Sequence, residues 1–167
     1  MTVTVEDIKN LREQTGAGIM DCKRALEEAN GDVLVAIEVL QQHGAASVAK
    51  KVSRETSEGI VDSYVHGGGR IGAIVEINCE TDFVARTPDF KGVAHDIAMQ
   101  VAAMNPTYLD VSDIPDGEVS TPREVCLLQQ PFIKDPTKSV KELVDDAIGR
   151  LGENVRVRRF ARFSVGE

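Results

Sequence analysis

Apolar residues recur every three or four positions in three consecutive stretches near the start of the chain. In chain order, the stripes are Val5, Ile8 and Leu11, then Cys22, Ala25, Leu26 and Ala29, then Val33, Ile37 and Leu40. This spacing puts the apolar side chains of each stretch on one face of a helix. Because a short amphipathic helix cannot bury its apolar face alone, we expect the three helices to pack together as a small module.

Capping residues indicate where these helices begin and end. Thr4 followed by Asp7 is a variant of the capping box, and Asp32 is a suitable N-cap for the third helix. Gly44 is predicted to end the third helix, because glycine commonly follows the last helical turn. The small and charged residues 45–59 then predict a helical tether or linker.

The period changes from helical to alternating beyond residue 60. Residues 71–79 carry apolar side chains at every second position, which predicts a strand with one fully apolar face. Residues 60–66 are its expected hairpin partner, joined to it by the glycine-rich turn at residues 67–70.

A third strand is predicted at residues 155–165. Its apolar side chains, which include Val155 and Phe163, share one parity along the chain. Arg159 and Phe160 interrupt the alternation, so we expect a bulge there or a second use for Phe160.

Two further amphipathic helices lie between the second and third strands. Thr87 and Pro88 supply the N-cap and the first helical position of one helix, and Ser139 with Glu142 forms a capping box for the other. The proline-rich residues 105–138 between them are expected to be mainly loop.

The grouping of these elements indicates an α+β fold. We expect a three-helix module and its linker in residues 1–54, followed by a core domain in residues 55–167. In the core, a three-stranded antiparallel sheet would be covered by helices.

Composition and charge limit the class of protein. With 42% hydrophobic and 28% charged residues, the chain has the composition of a soluble globular protein, and it contains no long apolar run that would span a membrane. The start of the chain has no secretory-signal pattern, and three widely spaced cysteines suit a reducing compartment, so we expect a cytoplasmic protein. A formal net charge of −8 disfavours direct nucleic-acid binding and favours a protein partner.

Two motifs resemble ligand-binding sequences but have simpler interpretations. Residues 67–72 match G-x-G-x-x-G, yet they lead into a strand and not into the helix that a dinucleotide site requires, so we interpret them as a hairpin turn. The basic residues 156–162 are better explained as a solvated strand face than as a nucleic-acid contact.

No arrangement of residues indicates catalysis or metal binding. The three histidines and three cysteines lack the spacing of metal ligands, and Cys79 has the parity of a buried core residue and not of a nucleophile. We therefore expect no enzymatic activity, no cofactor and no metal site.

Phe83 is the residue that most needs a functional explanation. It follows Asp82 in a short connection between two regular elements. Phe83 either folds back into the core or projects as an aromatic anchor for a partner, and the residues alone leave both alternatives open. Asp82 slightly favours binding, because burying an unpaired carboxylate is costly.

Residues 11–41 and 76–86 closely resemble the two signature regions of the bacterial elongation factor Ts family. Shorter runs such as QPFIKDP and GENVRVRRF are also similar to its core. The resemblance covers nearly the whole chain. It implies a guanine-nucleotide exchange factor for elongation factor Tu, with an N-terminal module like ubiquitin-associated domains and an α+β core.

The resemblance also implies which residues contact the partner in the core. In the run Thr81, Asp82, Phe83 and Val84, the aspartate and phenylalanine would enter the GTPase domain of elongation factor Tu. The aromatic ring would wedge between helices near the magnesium and phosphate site. Gln100, within the core helix that would meet the third domain of the partner, stands where many relatives have histidine.

For the N-terminal module, the resemblance implicates Arg12, Ile19 and Met20 in contacts with another helix of the GTPase domain. Longer relatives carry two copies of the core, whereas this chain has material for one, and residues 114–125 are short where a longer helical segment is usual. We therefore expect a homodimer. The alternative function is a non-catalytic adaptor that binds proteins through the N-terminal module.

Overall fold

The computed structural model describes residues 3–167. The chain divides into two compact units, one ending at Ser53 and the other beginning at Arg54, and each is described by itself. Among residues 3–167, no helix has both the length and the apolar character needed to cross a membrane.

The N-terminal unit consists of three packed helices, as predicted. They are α1 (Val5–Thr15), α2 (Ile19–Glu28) and α3 (Val33–Lys51). Its buried core contains Leu11, all four residues of the second stripe, and Ala36 and Val39 of α3. The stripe predicted for the third helix is only partly buried and packs against this core at Val33, Ile37 and Leu40, and Val5 of the first stripe is exposed. Thr4 and Asp7 form the expected capping box, with Asp7 N donating to Thr4 Oγ1 at 3.2 Å.

Helix α3 is longer than predicted, because Gly44 does not end it. A glycine inside a helix costs only about 1 kcal/mol relative to alanine, and strong helix formers follow directly at Ala45 and Ala46. The helix ends about two turns later, where Lys50 and Lys51 interact favourably with the negative end of its dipole.

The second unit is built on a three-stranded antiparallel sheet. Its strands are β1 (Glu58–His66), β2 (Ile71–Cys79) and β5 (Val155–Ser164), with β2 in the centre. Gly67, Gly68 and Gly69 all have positive φ and form the turn between β1 and β2, which confirms the hairpin interpretation of the glycine motif.

A bulge in β5 changes which side chains face the core. Glu76 pairs with Arg159 and Ile77 pairs with Val157, so Arg158 is the extra residue, one position before the predicted break. The single parity predicted for the strand is therefore wrong. Val155 and Val157 face the core, whereas Phe163 lies opposite Gly72 on the other side of the sheet.

Helices cover one face of the sheet. Helix α5 (Pro88–Met104) packs on β1 and β2, and α7 (Val140–Leu151) packs beside it and against β5. The core contains Ala73, Val75, Ile77, Phe90, Ile97, Val101, Val144, Ile148, Val155 and Val157. This arrangement confirms the α+β fold class.

The remaining elements are short. They are α4 (Asp82–Ala85), α6 (Pro122–Val125), and a small hairpin of β3 (Pro131–Phe132) and β4 (Asp135–Ser139). Single 3₁₀ turns at Val111–Asp113 and Leu127–Gln129 interrupt the mainly irregular stretch that the prolines predicted.

Candidate partner-binding site

Phe83 projects from the single helical turn α4, directly after β2. Its side chain is 77% exposed, whereas the next two residues, Val84 and Ala85, are only 6% and 4% exposed. The turn is therefore anchored by Val84 and Ala85 and presents Phe83 to solvent. Of the two alternatives that the sequence left open, the structure excludes a core position for this ring.

Local hydrogen bonds fix both ends of this turn. Thr81 is the N-cap of α4, with its hydroxyl oxygen accepting from Val84 N at 3.4 Å. At the other end, the Thr87 hydroxyl donates to the Val84 carbonyl at 2.7 Å and also caps α5. Asp82 is exposed and pairs with Arg86 at 2.7 Å along the same turn. The exposed Phe83 thus stands on a turn whose backbone is tied directly to the following helix.

Glu153 reaches the start of this turn from a distant part of the chain. Its Oε2 accepts from Glu80 N at 3.1 Å and from Thr81 N at 3.0 Å, and its Oε1 accepts from the Thr81 hydroxyl at 2.7 Å. No sequence motif points to Glu153. A signal was available, because pairing β2 with β5 places the residues just before Val155 opposite those just after Cys79.

Glu80 makes the reciprocal contact. Its Oε1 accepts from Asn154 N at 2.6 Å and lies 3.5 Å from a guanidinium nitrogen of Arg54. The Asn154 side chain in turn donates to the Arg54 carbonyl at 2.8 Å. Residues 80–81 and residues 153–154 therefore each supply a carboxylate that accepts from backbone N–H groups of the other segment. We call this arrangement of Glu80, Thr81, Glu153 and Asn154 the carboxylate clasp.

Cys79 lies beneath the clasp and is unsuited to nucleophilic chemistry. It is fully buried, and burial raises its pKa to about 11. The protonated thiol donates to the Thr81 carbonyl at 3.2 Å, so it supports the same turn. Within residues 3–167, no group of three His, Cys, Asp or Glu side chains could hold a metal ion.

In the N-terminal unit, the three residues singled out by the resemblance are exposed. Arg12 lies in the last turn of α1, and Ile19 and Met20 begin α2 with exposed fractions of 56% and 62%. Leu34, in the first turn of α3, is exposed as well and was not predicted, because the apolar stripe of that helix passes through other positions.

Gln100 has a different environment from the one expected of a contact residue. It is 0% exposed, and its Nε2 donates to Gln130 Oε1 at 3.2 Å and to the Pro131 carbonyl at 3.0 Å. Its Oε1 accepts from Ile133 N at 2.9 Å. All of its polar atoms are used inside the core unit. A direct contact with a partner would therefore require the 130–133 segment to open.

Comparisons with known proteins agree with the sequence motifs. Residues 46–125 and 117–167 match the family described as Elongation factor TS. The Elongation factor Ts of Syntrophomonas wolfei is 50% identical over an alignment covering 99% of this chain and 91% of that protein. The proteins of the same name from Carboxydothermus hydrogenoformans and Herpetosiphon aurantiacus are 49% and 45% identical, covering 99% of this chain and 90% and 99% of theirs. The chain belongs to the elongation factor Ts family.

Proposed function

We propose that this protein is the guanine-nucleotide exchange factor of elongation factor Tu, which it binds in order to promote GDP release during translation elongation. The observation that carries the proposal is the exposed Phe83 on a fixed turn. Of the five phenylalanines in the sequence, Phe83 and Phe163 are exposed, and only Phe83 stands on a turn held by hydrogen bonds at both ends. Aromatic residues that become buried on binding commonly dominate the energy of protein interfaces.

The rigidity of the turn supports the same interpretation. A flexible segment must lose conformational freedom when it binds, and this lost freedom weakens the complex. Thr81 and Val84 restrict that freedom here, Thr81 as the cap and Val84 through its burial beneath the turn. Asp82 and Phe83 are left as the side chains that enter the partner.

We infer that Asp82 and Phe83 act as a wedge near the magnesium and phosphate site of elongation factor Tu. No covalent bond forms or breaks. The effect is a coupling free energy, so the factor weakens nucleotide binding by the same amount as the nucleotide weakens binding of the factor. A thousandfold weakening of GDP binding corresponds to about 4 kcal/mol, which lies within the range of single aromatic anchors.

Residues of the N-terminal unit provide a second contact in this proposal. Arg12, Ile19 and Met20 combine one cation with two exposed apolar side chains, a composition that suits a protein surface. We expect this UBA-like module to contribute affinity for the partner, while Phe83 contributes the loosening of nucleotide. Gln100 acts indirectly, by supporting the 130–133 segment of the core.

We also propose that the protein is a homodimer that forms through the open face of the sheet. Val61, Val65, Ile74 and Phe163 are exposed on this face, and Gly72 leaves a depression between Val65 and Phe163. Glu76 and Arg159 lie on the same face and pair with each other at 2.7 Å, so a twofold-related copy would meet this face without leaving either charge unpaired. A second copy would also supply the second core that the longer relatives contain within one chain.

The cytoplasm is the compartment that this function requires, and no direct contact with nucleic acid is needed. Three of the four arginines of β5 pair with acidic side chains. Arg158 and Arg159 both pair with Glu76, and Arg162 pairs with Glu167 at 2.8 Å. These ion pairs reduce the positive charge available to phosphates.

The test is the release of fluorescent GDP from purified elongation factor Tu at fixed magnesium concentration. Wild-type protein is expected to accelerate release, and Phe83→Ala is expected to lose at least about tenfold of that acceleration while remaining folded. Val119→Ala, which removes another exposed apolar side chain, serves as the control. A folded wild-type protein without any effect on release would contradict the proposal and favour the adaptor function.

A further inference from the structure

We propose that Glu153 is a positioning residue for nucleotide exchange, because it holds the turn that carries Phe83. The inference rests on the proposed exchange function. Glu153 is far from Phe83 in sequence and does not belong to the motif that resembles the family's partner-binding region. Its role follows from the carboxylate clasp alone.

The hydrogen bonds of the clasp begin where the pairing of β2 with β5 ends. Cys79 and Val155 form the last pair of the β2–β5 ladder. Beyond this pair the two segments separate, since β2 continues into α4 and β5 is preceded by α7. The backbone groups of residues 80 and 81 therefore have no partner in the sheet. The carboxylate of Glu153 accepts from two of these backbone donors, Glu80 N and Thr81 N. A carboxylate that accepts from several donors forms stronger hydrogen bonds than a neutral acceptor does.

The third bond of Glu153 reaches the cap of α4 itself. The Thr81 hydroxyl donates to Glu153 at 2.7 Å and accepts from Val84 N at 3.4 Å. The carboxylate orients the hydroxyl by accepting its hydrogen, so that a lone pair of the hydroxyl oxygen faces the helical turn. Loss of Glu153 would therefore release two backbone N–H groups and also free the hydroxyl that caps the turn with Phe83.

The location of Glu153 explains why a side chain from another element is needed. It immediately follows Gly152, the left-handed residue that ends α7. Helix α7 is held in the core by buried Val144, Ala147 and Ile148. The clasp thus joins the exposed turn to a buried helix, and Phe83 is oriented relative to the core and not only to its own neighbours.

Preorganisation of this kind predicts a specific kinetic effect. A merely destabilised protein contains fewer folded molecules, so its half-saturating concentration rises while its maximal rate of GDP release is unchanged. A folded protein with a loose turn still binds through its other contacts, but it positions the wedge less often. Its maximal rate falls while its half-saturating concentration changes little.

The experiment measures fluorescent GDP release from elongation factor Tu as a function of the concentration of the full chain. Glu153→Ala is expected to lower the maximal rate about tenfold, which corresponds to about 1.4 kcal/mol. Glu153→Gln is expected to give an intermediate rate, because its amide oxygen still accepts from the backbone and its amide nitrogen can donate to the Thr81 hydroxyl.

Glu142→Ala is the matched control. Glu142 lies in the first turn of α7, at the opposite end of that helix from Glu153, and accepts from the backbone N–H and the hydroxyl of Ser139. This variant loses comparable bonds without touching the clasp and is expected to keep the wild-type maximal rate. Thr81→Val is made in parallel, because it removes the two bonds of the hydroxyl, to Glu153 and from Val84 N, but keeps the two backbone bonds of Glu153. This variant keeps the proposal testable even where Glu153→Ala fails to fold.

Amide hydrogen exchange in the free protein provides a readout independent of the partner. Glu153→Ala is expected to lose protection at Glu80 and Thr81, whereas Glu142→Ala keeps it. Unchanged protection, or a wild-type maximal rate in folded Glu153→Ala and Thr81→Val, would overturn the positioning role. A wild-type protein that fails to accelerate GDP release would instead reject the proposed function, and the amide protection would still decide whether Glu153 holds the turn.

Discussion

Gln100 donates to the side-chain oxygen of Gln130 across 3.2 Å, and both residues are completely buried. Gln130 in turn donates to the Glu124 carbonyl at 2.8 Å. These two amides satisfy the backbone of the irregular stretch between α5 and α7, which has few ladder bonds of its own. Such a network makes a stretch without regular structure behave as part of the core.

Gln100→Leu is expected to destabilise the core unit by about 2 kcal/mol or more, because Ile133 N and Gln130 Oε1 would remain buried without their partner. Urea unfolding followed by tyrosine fluorescence measures this effect. Both tyrosines, Tyr64 and Tyr108, belong to the core unit. Gln129→Leu, which loses a single bond to Asp110, is the control and should cost less than about 1 kcal/mol. Equal losses in the two variants would contradict the role given to Gln100.

Phe163→Asp is expected to separate the proposed homodimer into monomers, since it places a charge in the middle of an apolar contact. Sedimentation velocity measures the change in mass. Phe83→Asp is a closely matched control, because Phe83 is 77% exposed and Phe163 is 74% exposed, yet only Phe163 lies on the open sheet face. Dimers that persist in Phe163→Asp, or dissociate equally in both variants, would show that this face is not the interface.

Gly44→Ala is expected to stabilise α3 by about 1 kcal/mol, because no atom outside the adjoining helix backbone lies within 4 Å of the new methyl group and alanine favours the helix. Hydrogen exchange of the α3 amides in the full chain reports this local free energy. Gly16→Ala should have the opposite effect, since Gly16 ends α1 with a φ of 69°, where a side chain is strained. An unchanged α3 in Gly44→Ala would mean that the helix is not continuous through this position.

Cys79 is expected to resist thiol reagents in the native protein. With its pKa raised from 9.0 to about 11, a thiolate is about a hundredfold scarcer at any pH well below both values, and burial further limits access. Labelling at pH 8 followed by mass spectrometry should modify Cys79 only after denaturation. Rapid modification of Cys79 in the folded protein, accompanied by loss of GDP-release activity, would contradict this prediction and indicate a functional thiol.

Features that depend on local sequence were predictable. The hairpin turn, the capping boxes and the alternating strand β2 each follow from residues within a few positions of one another. The length of α3 was not predictable in the same way, since a single glycine was outweighed by the residues after it. The orientation of Phe163 also escaped prediction, because one extra residue in β5 reverses the parity that follows it.

The candidate site was predictable only in part. The motif drew attention to Asp82 and Phe83, but exposure of the ring depends on whether Val84 and Ala85 fill the space beneath it. The role of Glu153 could not be predicted from a motif, because the residues that it contacts lie more than 70 positions away in the chain. Burial of Gln100 likewise depends on Gln130, which belongs to a stretch whose path the sequence does not specify.

The carboxylate clasp can form only late in the synthesis of the protein. Glu80 and Thr81 leave the ribosome long before Glu153, since 73 and 72 positions separate them from it. Until the end of α7 has been synthesised, the nascent chain carries an exposed phenylalanine on a turn that lacks its distant support. A prematurely terminated chain would therefore contain the complete recognition motif without the means to hold it.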